Sequence, residues 1–422
     1  LNAVFGNDAI KNKRNTDAVE VGPNQMASAR VVKHEPSHVL PLAEVKDVRR
    51  ILDVKVNDLV LAVCAGTLRR YLEARDELPD EPLPPFDGEP LPDAPVGEWT
   101  WVDFPDSRCR DGSSTGIGVR RGASDNLVIF FEGGGACFNG FTCLANDPNY
   151  TGDDFAWWKD WDGHAGIFNE ARDDNPVRDW SFVYVPYCSG DVHGGDNDGV
   201  AVVDVNGLQT YSGYTNVEQF LRRIVPTFAA APHVLVTGVS AGGFGAGFNY
   251  HRIARLFTGA VTLIDDSGPP MGDDYLAPCL QQMWRDTWGL DSTIPGNCVG
   301  CSGADGGGIS NLIRFIGGRH PEQRMGLISS ESDRTIASFF SFGLDECAGF
   351  GAIFSGVRFR DGLHQLRDEV LRPPGNWGSY FIPGIDHTWI GHSAYYDTEV
   401  SGVRLVDWVE DLLAGEVQHV SP

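Results

Sequence analysis

The chain has 422 residues, of which 42 % are hydrophobic, and it carries a formal net charge of -25. This size and composition are typical of a soluble protein of two or three domains, and no apolar run reaches the roughly 18 residues that a membrane-spanning helix needs. Nucleic acids and anionic membranes are not expected partners, because both would repel so acidic a protein.

The charge is uneven along the chain. Residues 1–75 carry 12 basic and 9 acidic side chains, so nearly all of the acidity lies downstream. Residues 1–38 are polar and show no sustained period, whereas Leu42–Leu52 and Val56–Arg75 have apolar residues at helical spacing. We therefore expect a small helical N-terminal domain over residues 1–75.

Residues 41–83, PLAEVKDVRRILDVKVNDLVLAVCAGTLRRYLEARDELPDEPL, resemble part of the bacterial wax ester synthase/diacylglycerol acyltransferase family. The resemblance implies acyl transfer. However, that family's catalytic His-His-x-x-x-Asp-Gly motif is absent, since no two histidines are adjacent in the chain. We interpret the segment as a remnant or a fusion, and acyl transfer stays an alternative function.

Residues 76–98 contain seven prolines among acidic side chains. Proline lacks a backbone N–H and cannot continue a helix or a central strand, so this stretch is predicted to be a stiff, extended linker. The catalytic domain is then expected over residues 99–422.

Strand and helix signals alternate through this second part, which is typical of an α/β protein with a mostly parallel sheet. Two early strands are expected to be antiparallel, and Leu127–Phe131 is purely apolar, as a central strand covered on both faces would be. The predicted elements are strands at Trp99–Phe104, Gly116–Arg121, Leu127–Phe131, Phe182–Pro186, Val234–Val236, Ala260–Ile264, Met325–Ile328 and Tyr380–Ile382, a helix at Val217–Phe228, and an insertion between Met271 and Gly318.

The central strand runs directly into Glu132-Gly133-Gly134-Gly135-Ala136-Cys137. Three glycines let the backbone turn its N–H groups towards a nearby reacting group without interference from a side chain. This is how hydrolases of this strand order build an oxyanion hole, and the alternative is a flexible glycine turn.

The sequence PHVLVTGVSAGGFGAG, at residues 232–247, places Ser240 between a strand and a helix. Strand, Gly-x-Ser-x-Gly, helix is the nucleophile elbow of α/β-hydrolases. Side chains at Gly238 and Gly242 would clash in so tight a turn, and the strained backbone lifts the serine hydroxyl clear of the sheet. The sequence therefore predicts an α/β-hydrolase with Ser240 as nucleophile.

The acid and the base of a triad should follow on loops after later strands. Asp333 follows the strand that begins at Met325, and His387 follows the last predicted strand. The order Ser240, Asp333, His387 is the hydrolase order. His392 is the rival base, and Asp265 or Asp266 is the rival acid; His251 and His364 lie in helical stretches and are interpreted as structural.

Eight of the nine cysteines fall after residue 100, and an even set in a glycine-rich chain indicates disulfides and an oxidising compartment. Cys64 is interpreted as a buried free thiol.

Cys298-x-x-Cys301 could bind zinc only with a second close Cys or His pair, and none follows at the required spacing. Asp196-Asn197-Asp198-Gly199 lacks the ligand spacing of a calcium loop. We expect no metal and no organic cofactor.

Residues from Trp99 to about Trp408 resemble the pectin acetylesterase/Notum family of carboxylesterases. The motifs that carry the resemblance are CRDGS at residues 109–113, FFEGGGACFN at 130–139, NPVRDWSFVYVPYCSGD at 175–191, GVSAGG at 238–243 and DHT at 386–388. The resemblance implies an α/β-hydrolase fold and the same roles for Ser240, Asp333 and His387. It also implies that Gly134, Gly135 and Ala241 supply the oxyanion N–H groups.

The chain departs from that family at two places. Gly135-Ala136 stands where the animal members have bulkier aromatics, and Ser189 stands where plant members usually have Asp. Both departures leave the acyl and alcohol preferences open. The family pattern further suggests the pairs Cys109–Cys188 and Cys279–Cys347; the short spacing of Cys137 and Cys143 predicts a bond between them, and Cys298 and Cys301 are left to pair with each other.

We expect a secreted or periplasmic serine carboxylesterase that hydrolyses acetyl or short-chain esters. Its partner would be a small-molecule or neutral glycan ester rather than a polyanion, which the net charge would repel. A binding module with a decayed triad is a further alternative, and the sequence specifies no oligomeric state.

Overall fold

The computed structural model describes residues 87–348 and 352–422. The predicted N-terminal domain at residues 1–75, its two helices and Cys64 lie outside the described residues. The predicted linker is described only from Asp87 onward. In that part Leu91 is buried, its N–H donates to Thr227 Oγ1 at 2.7 Å, and Gly88 N–H donates to the carbonyl of Arg222 at 3.1 Å.

The described chain forms an α/β fold with strands and helices in the following order. The strands are β1 Trp99–Phe104, β2 Thr115–Arg120, β3 Leu127–Phe131, β4 Ser181–Val185, β5 Asn197–Ala201, β6 Leu208–Tyr211, β7 His233–Val239, β8 Ala260–Asp266, β9 Met325–Ser330, β10 Trp377–Ile382, β11 Glu399–Val400, β12 Val403–Arg404 and β13 His419–Val420. The helices are α1 Gly140–Leu144, α2 Gly152–Trp161, α3 Gly213–Thr227, α4 Ala241–Ala254, α5 Pro278–Trp288, α6 Ser310–Arg319, α7 Arg334–Phe340, α8 Gly356–Leu366, α9 Ala394–Asp397 and α10 Leu405–Leu413.

Nine of these strands form one sheet in the order β1-β2-β4-β3-β7-β8-β9-β10-β13. β1 and β2 are antiparallel to their neighbours, and every pairing from β4 to β13 is parallel. This is an α/β-hydrolase arrangement, as predicted. The expectation that the strand at Tyr380–Ile382 ends the sheet is wrong, because the short strand β13 pairs with β10 at the edge.

Strand β3 shows why the central strands are apolar throughout. Leu127, Ile129 and Phe131 face the hydrophobic core on one side of the sheet, and Val128 and Phe130 face the core on the other. Helices cover both faces, so each side chain is removed from water and stabilises the fold by roughly 1.5–3 kcal/mol. The sheet is therefore a rigid platform for the loops at its carboxyl edge.

Four disulfides join the cysteines as expected: Cys109–Cys188, Cys137–Cys143, Cys279–Cys347 and Cys298–Cys301. Their Cα–Cα distances lie between 4.1 and 6.1 Å, within the limit of about 7 Å for a bridged pair. Cys298 and Cys301 are thus paired with each other. No described helix is both long and apolar enough to cross a membrane.

Candidate active site

Ser240 lies at the turn between β7 and α4, where the elbow was predicted. Its φ of 58° and ψ of -122° are strained for a residue other than glycine, at a cost of order 1–3 kcal/mol. A Cβ on Gly238 would lie 2.3 Å from the carbonyl oxygen of Gly242, and one on Gly242 would lie 2.0 Å from that of Phe131. Both positions therefore require glycine, which is the physical basis of the motif.

Asp333 and His387 are hydrogen-bonded to each other. Asp333 is fully buried at the N-terminus of α7, where its Oδ1 accepts from Ile336 N–H at 3.0 Å. Its Oδ2 lies 2.6 Å from His387 Nδ1. Because an ionised carboxylate can only accept, this contact keeps the imidazole proton on Nδ1 and leaves Nε2 as an acceptor. His387 Nε2 is buried and has no hydrogen-bond partner within the described residues.

Asp266 ties the serine turn to the histidine loop. Its main-chain carbonyl accepts from Ser240 N–H at 2.7 Å, and its Oδ2 accepts from the N–H groups of Trp389 and Ile390 at 2.7 and 2.8 Å. Burial raises the pKa of this carboxyl, and the two N–H donors partly offset the rise. The hydrogen bonds of Asp266, the rival acid of the sequence, thus fix the serine turn and the histidine loop relative to each other.

The other rival residues make contacts of a different kind. Asp265 Oδ1 accepts from Gly268 N–H at 2.8 Å. His392 is exposed, and its Nε2 lies 3.0 Å from Thr388 Oγ1. His251 pairs with His320, and His364 pairs with Glu331, each at 2.9 Å, as side chains with structural roles do.

The glycine loop after β3 passes directly against the serine. A Cβ on Gly133 would lie 2.5 Å from the carbonyl oxygen of Val239 and 3.0 Å from Ser240 Cβ. Gly134 and Gly135 have φ values of +150° and +78°, which favour glycine. Gly135, Ser240 and Ala241 line one small cavity, as an oxyanion hole made from these residues requires.

Glu132, the first residue of this loop, is fixed by two hydrogen bonds that the sequence does not predict. Its carboxylate accepts from Tyr187 N–H at 2.8 Å, and its main-chain carbonyl lies 2.8 Å from His193 Nε2. Burial raises the pKa of Glu132 to about 7 and lowers that of His193 to about 4. The imidazole of His193 is therefore neutral at neutral pH and donates to the loop.

Two buried side chains, Arg110 and Asn146, fix the peptide between Gly134 and Gly135. Asn146 Nδ2 donates to the carbonyl of Gly134 at 3.0 Å, and Arg110 Nε donates to Asn146 Oδ1 at 3.0 Å. Arg110 and Asn146 are only 4 % and 3 % exposed. The Gly134 carbonyl and the Gly135 N–H belong to one planar peptide and point in opposite directions. Holding the carbonyl therefore aims the N–H, and the chain of bonds from a cation strengthens it as a donor.

We expect Asn146→Asp to lower kcat about tenfold to a hundredfold, because a carboxylate of the same size cannot donate to Gly134 and the Gly135 N–H loses its alignment. KM should change much less, since the substrate pocket is intact. The measurement is steady-state kinetics on p-nitrophenyl acetate with thermal unfolding of each variant. Asn206→Asp, the same change at an exposed position, is the control; equal kcat in both variants would contradict the role of Asn146.

The cavity beside Ser240 has a volume of about 30 Å³. Its walls are aromatic: Phe244 from the elbow helix, Trp284 and Trp288 from the predicted insertion, and Phe339 and Phe340 from α7. Trp288 Nε1 donates to the carbonyl of Cys137 at 2.8 Å, which holds the insertion against the glycine loop. The insertion was expected over the sheet edge, and its helix α5 closes the cavity.

Within residues 87–348 and 352–422, no group of three or more His, Cys, Asp or Glu side chains is placed to hold a metal ion. The acidic segment that hinted at calcium lies at the start of β5. There Asp198 Oδ1 accepts from Thr210 Oγ1 at 2.7 Å, and Asp196 Oδ1 accepts from Thr215 Oγ1 at 3.0 Å. Asp198 thus stabilises the β5–β6 hairpin, and Asp196 stabilises the start of α3.

Comparison with known proteins gives two unrelated similarities. A family model described as Pectinacetylesterase matches residues 99–293. Palmitoleoyl-protein carboxylesterase notum2 of Xenopus laevis is 32% identical over 153 residues, and the mouse carboxylesterase NOTUM is 31% identical over 156 residues. These alignments cover 35% of this chain and 30% and 29% of the relatives, so the chain spans about a third of the length of the curated relatives that it matches.

The second similarity is short. A putative diacylglycerol O-acyltransferase of Mycobacterium tuberculosis is 56% identical over 43 residues, which is 10% of either chain. The longer similarity covers β1 to β8, the glycine loop, the serine turn and part of the insertion. Residues 99–293, which carry the serine turn and the glycine loop on an α/β-hydrolase fold, are thus similar to the pectinacetylesterase family, and about a third of the chain is similar to the Notum carboxylesterases.

Proposed function

We propose that the chain is a serine carboxylesterase that works through an acyl-enzyme. The observation that carries the proposal is the 2.6 Å contact between His387 Nδ1 and Asp333 Oδ2, on a loop that Asp266 clamps to the serine turn. A bonded acid–histidine pair fixed relative to a strained serine is what nucleophilic acyl transfer requires.

In the first half-reaction His387 Nε2 takes the proton of Ser240 Oγ as the oxygen attacks the ester carbonyl. The N–H groups of Gly134, Gly135 and Ala241 hold the resulting oxyanion, and the positive end of α4 adds to its stabilisation. His387 then returns the proton to the leaving alcohol, and Asp333 steadies the imidazolium that exists in between. Water, activated by the same histidine, releases the acid.

The size of the serine cavity limits the acyl group. A volume of about 30 Å³ is small and is enclosed by aromatic side chains, which favours a methyl or ethyl group over a long chain. The aromatic wall supports a preference for acetyl or short-chain esters. The acidic net charge favours a neutral substrate over a polyanion.

A chain-length series of p-nitrophenyl esters beside acetylated polysaccharides tests this proposal. We expect kcat/KM to be highest for acetyl to butyryl esters and to fall at least about tenfold by the octanoyl ester, because the longer chains cannot enter the serine cavity. A maximum at octanoyl or longer would contradict the limit on acyl size. No burst with any activated ester would instead favour the binding-module alternative.

We propose a secreted or periplasmic location and the division into residues 1–75, 76–98 and 99–422. Four disulfides support an oxidising compartment. The 43-residue similarity to an acyltransferase supports a separate origin of the N-terminal part. That part lacks the histidine motif of the acyltransferases, so we assign hydrolysis to the second part alone.

Deleting residues 1–86 should leave kcat on small esters within about threefold, because every bond described for Asp333, His387 and Asp266 comes from the later residues. The deletion keeps Gly88 and Leu91, whose bonds to α3 anchor the chain. Steady-state kinetics and thermal unfolding check this expectation.

A second deletion, of residues 1–98, is the control, and it should lower the midpoint of thermal unfolding by removing those anchors. Loss of most activity in the shorter deletion would show that the N-terminal part acts in the site. If the parent protein consumes acyl-CoA and Ser240→Ala does not, acyl transfer would be supported instead.

A further inference from the structure

A second and much larger space lies beside the serine cavity. This outer groove has a volume of about 620 Å³ and is bounded by the start of α1, by α7 and by residues 352–356. Phe141, Phe342, Ile353 and Phe354 give it an apolar surface. Its volume is within the range of about 300–1,000 Å³ of sites that bind organic molecules.

Phe339 is the wall between the outer groove and the serine cavity, since it lines both. Its ring lies 3.5 Å from the position that a Cβ on Gly135 would take. Ala145, whose carbonyl oxygen lies 3.4 Å from that same position, also lines the outer groove. The outer groove thus reaches the glycine loop next to the serine cavity.

Several residues that line the outer groove are close neighbours of the acid and the base in the chain. Ser332 and Arg334, which line it, flank Asp333 in the chain, and Ile385, which also lines it, is two residues before His387. In ester hydrolysis the leaving alcohol departs on the side of the base that protonates it. The acyl group stays on the side of the oxyanion donors, in the serine cavity.

Three of the hydroxyls that line the outer groove are already engaged, whereas Arg334 is exposed there. The hydroxyls of Ser332, Ser338 and Ser341 donate to the main-chain carbonyls of Gly356, Thr335 and Ala337, at 3.2, 2.6 and 2.8 Å. A polyhydroxy alcohol such as a sugar would lose hydrogen bonds to water and gain few from these three serines, whereas an alkyl chain has no hydrogen bonds to lose. Phe141 and Ile353, which line the outer groove, are 67 % and 86 % exposed to solvent.

We propose that the outer groove binds the alcohol portion of the ester, and that the preferred substrate joins a short acyl group to a large apolar alcohol. The inference rests on the proposed esterase function and names its substrate class. The Ser240 Oγ–carbonyl bond forms, the bond from the carbonyl carbon to the alcohol oxygen breaks, and His387 returns its proton to that oxygen. Water then releases a short acid, and the products are this acid and a free apolar alcohol.

Octyl acetate and ethyl octanoate test the proposal, because they are isomers of the same formula with the carbons on opposite sides of the ester. We expect kcat/KM for octyl acetate to exceed that for ethyl octanoate at least about tenfold. Along the acetates from ethyl to octyl, kcat/KM should rise about two- to fourfold per methylene until the outer groove is filled.

Two variants connect this preference to the outer groove. Ile353→Asp should lower the ratio of kcat/KM for octyl acetate to that for p-nitrophenyl acetate at least about fivefold, because a charge is placed where the alkyl chain lies. Val299→Asp is the matched control, since Val299 is 93 % exposed and does not line the outer groove. That control should leave the ratio unchanged. Phe339→Ala should enlarge the serine cavity and raise the rate for ethyl octanoate relative to octyl acetate.

The outcomes separate the two proposals. If p-nitrophenyl acetate is hydrolysed through Ser240 while the two isomers react equally or ethyl octanoate reacts faster, the groove assignment is overturned and the esterase function stands. Faster deacetylation of a polysaccharide than of octyl acetate likewise overturns the assignment. A parent protein that is inactive on p-nitrophenyl acetate overturns the esterase function and this inference together.

Discussion

Ser240→Ala is expected to lower kcat on p-nitrophenyl acetate by about 10⁵- to 10⁶-fold, as removal of the nucleophile does in other serine hydrolases. The glycine N–H groups and the bound water can leave a residual rate above that of the uncatalysed reaction. The free energy of unfolding should stay within about 1 kcal/mol of the parent, because the Ser240 hydroxyl does not cap α4 and the strain of the turn is accommodated by Gly238 and Gly242.

Ser292→Ala is the control for this variant. Ser292 is exposed and its hydroxyl bonds only within its own turn, to the carbonyl of Gly289. The control should keep parental activity. If Ser240→Ala keeps activity within about tenfold of the parent, Ser240 is not the nucleophile. Loss of a nucleophile lowers kcat far more than this.

Asp333→Asn is expected to lower kcat by about 10⁴-fold. The carbonyl oxygen of the new amide can still accept from Ile336 N–H, so the N-terminus of α7 stays capped and the fold is kept. The amide nitrogen then faces His387 Nδ1 and forces the imidazole proton onto Nε2. A histidine in that tautomer cannot take the proton of the serine.

Asp265→Asn is the matched control, with the same change of group on a buried carboxyl. It keeps an acceptor for Gly268 N–H and leaves the Asp333–His387 contact intact, so kcat should stay within about tenfold of the parent. Steady-state kinetics over a range of pH checks both variants. A larger loss in Asp265→Asn than in Asp333→Asn would reverse the assignment of the acid.

The sequence predicts the parts of this molecule that local patterns encode. Gly238 is required by a clash with Gly242 within the same five-residue motif, and β3 is apolar because it is buried on both faces. Strand boundaries are less predictable: the strand expected at Tyr380–Ile382 begins at Trp377, because Gly378 and Ser379 interrupt the apolar pattern. Strand β13 has two residues, too few to show a period.

The supports of the site could not be predicted, because they are hydrogen bonds from a side chain to a group far away in the sequence. Asp266 accepts from Ile390, which is 124 residues away, and Arg110 reaches Asn146 across 36 residues. No spacing rule connects such residues. Asp266 drew attention only as an acid at the end of a strand, which is the same signal that identifies Asp333.

The central claim is that Ser240 carries the acyl group during turnover. Mass spectrometry of the protein, quenched with acid within the first turnovers on p-nitrophenyl acetate and then digested, tests it most directly. We predict one acetyl group on the peptide that contains Ser240 in the parent protein and none on that peptide in Ser240→Ala. Turnover with no acetylated peptide, or with the acetyl group on another residue, would contradict it.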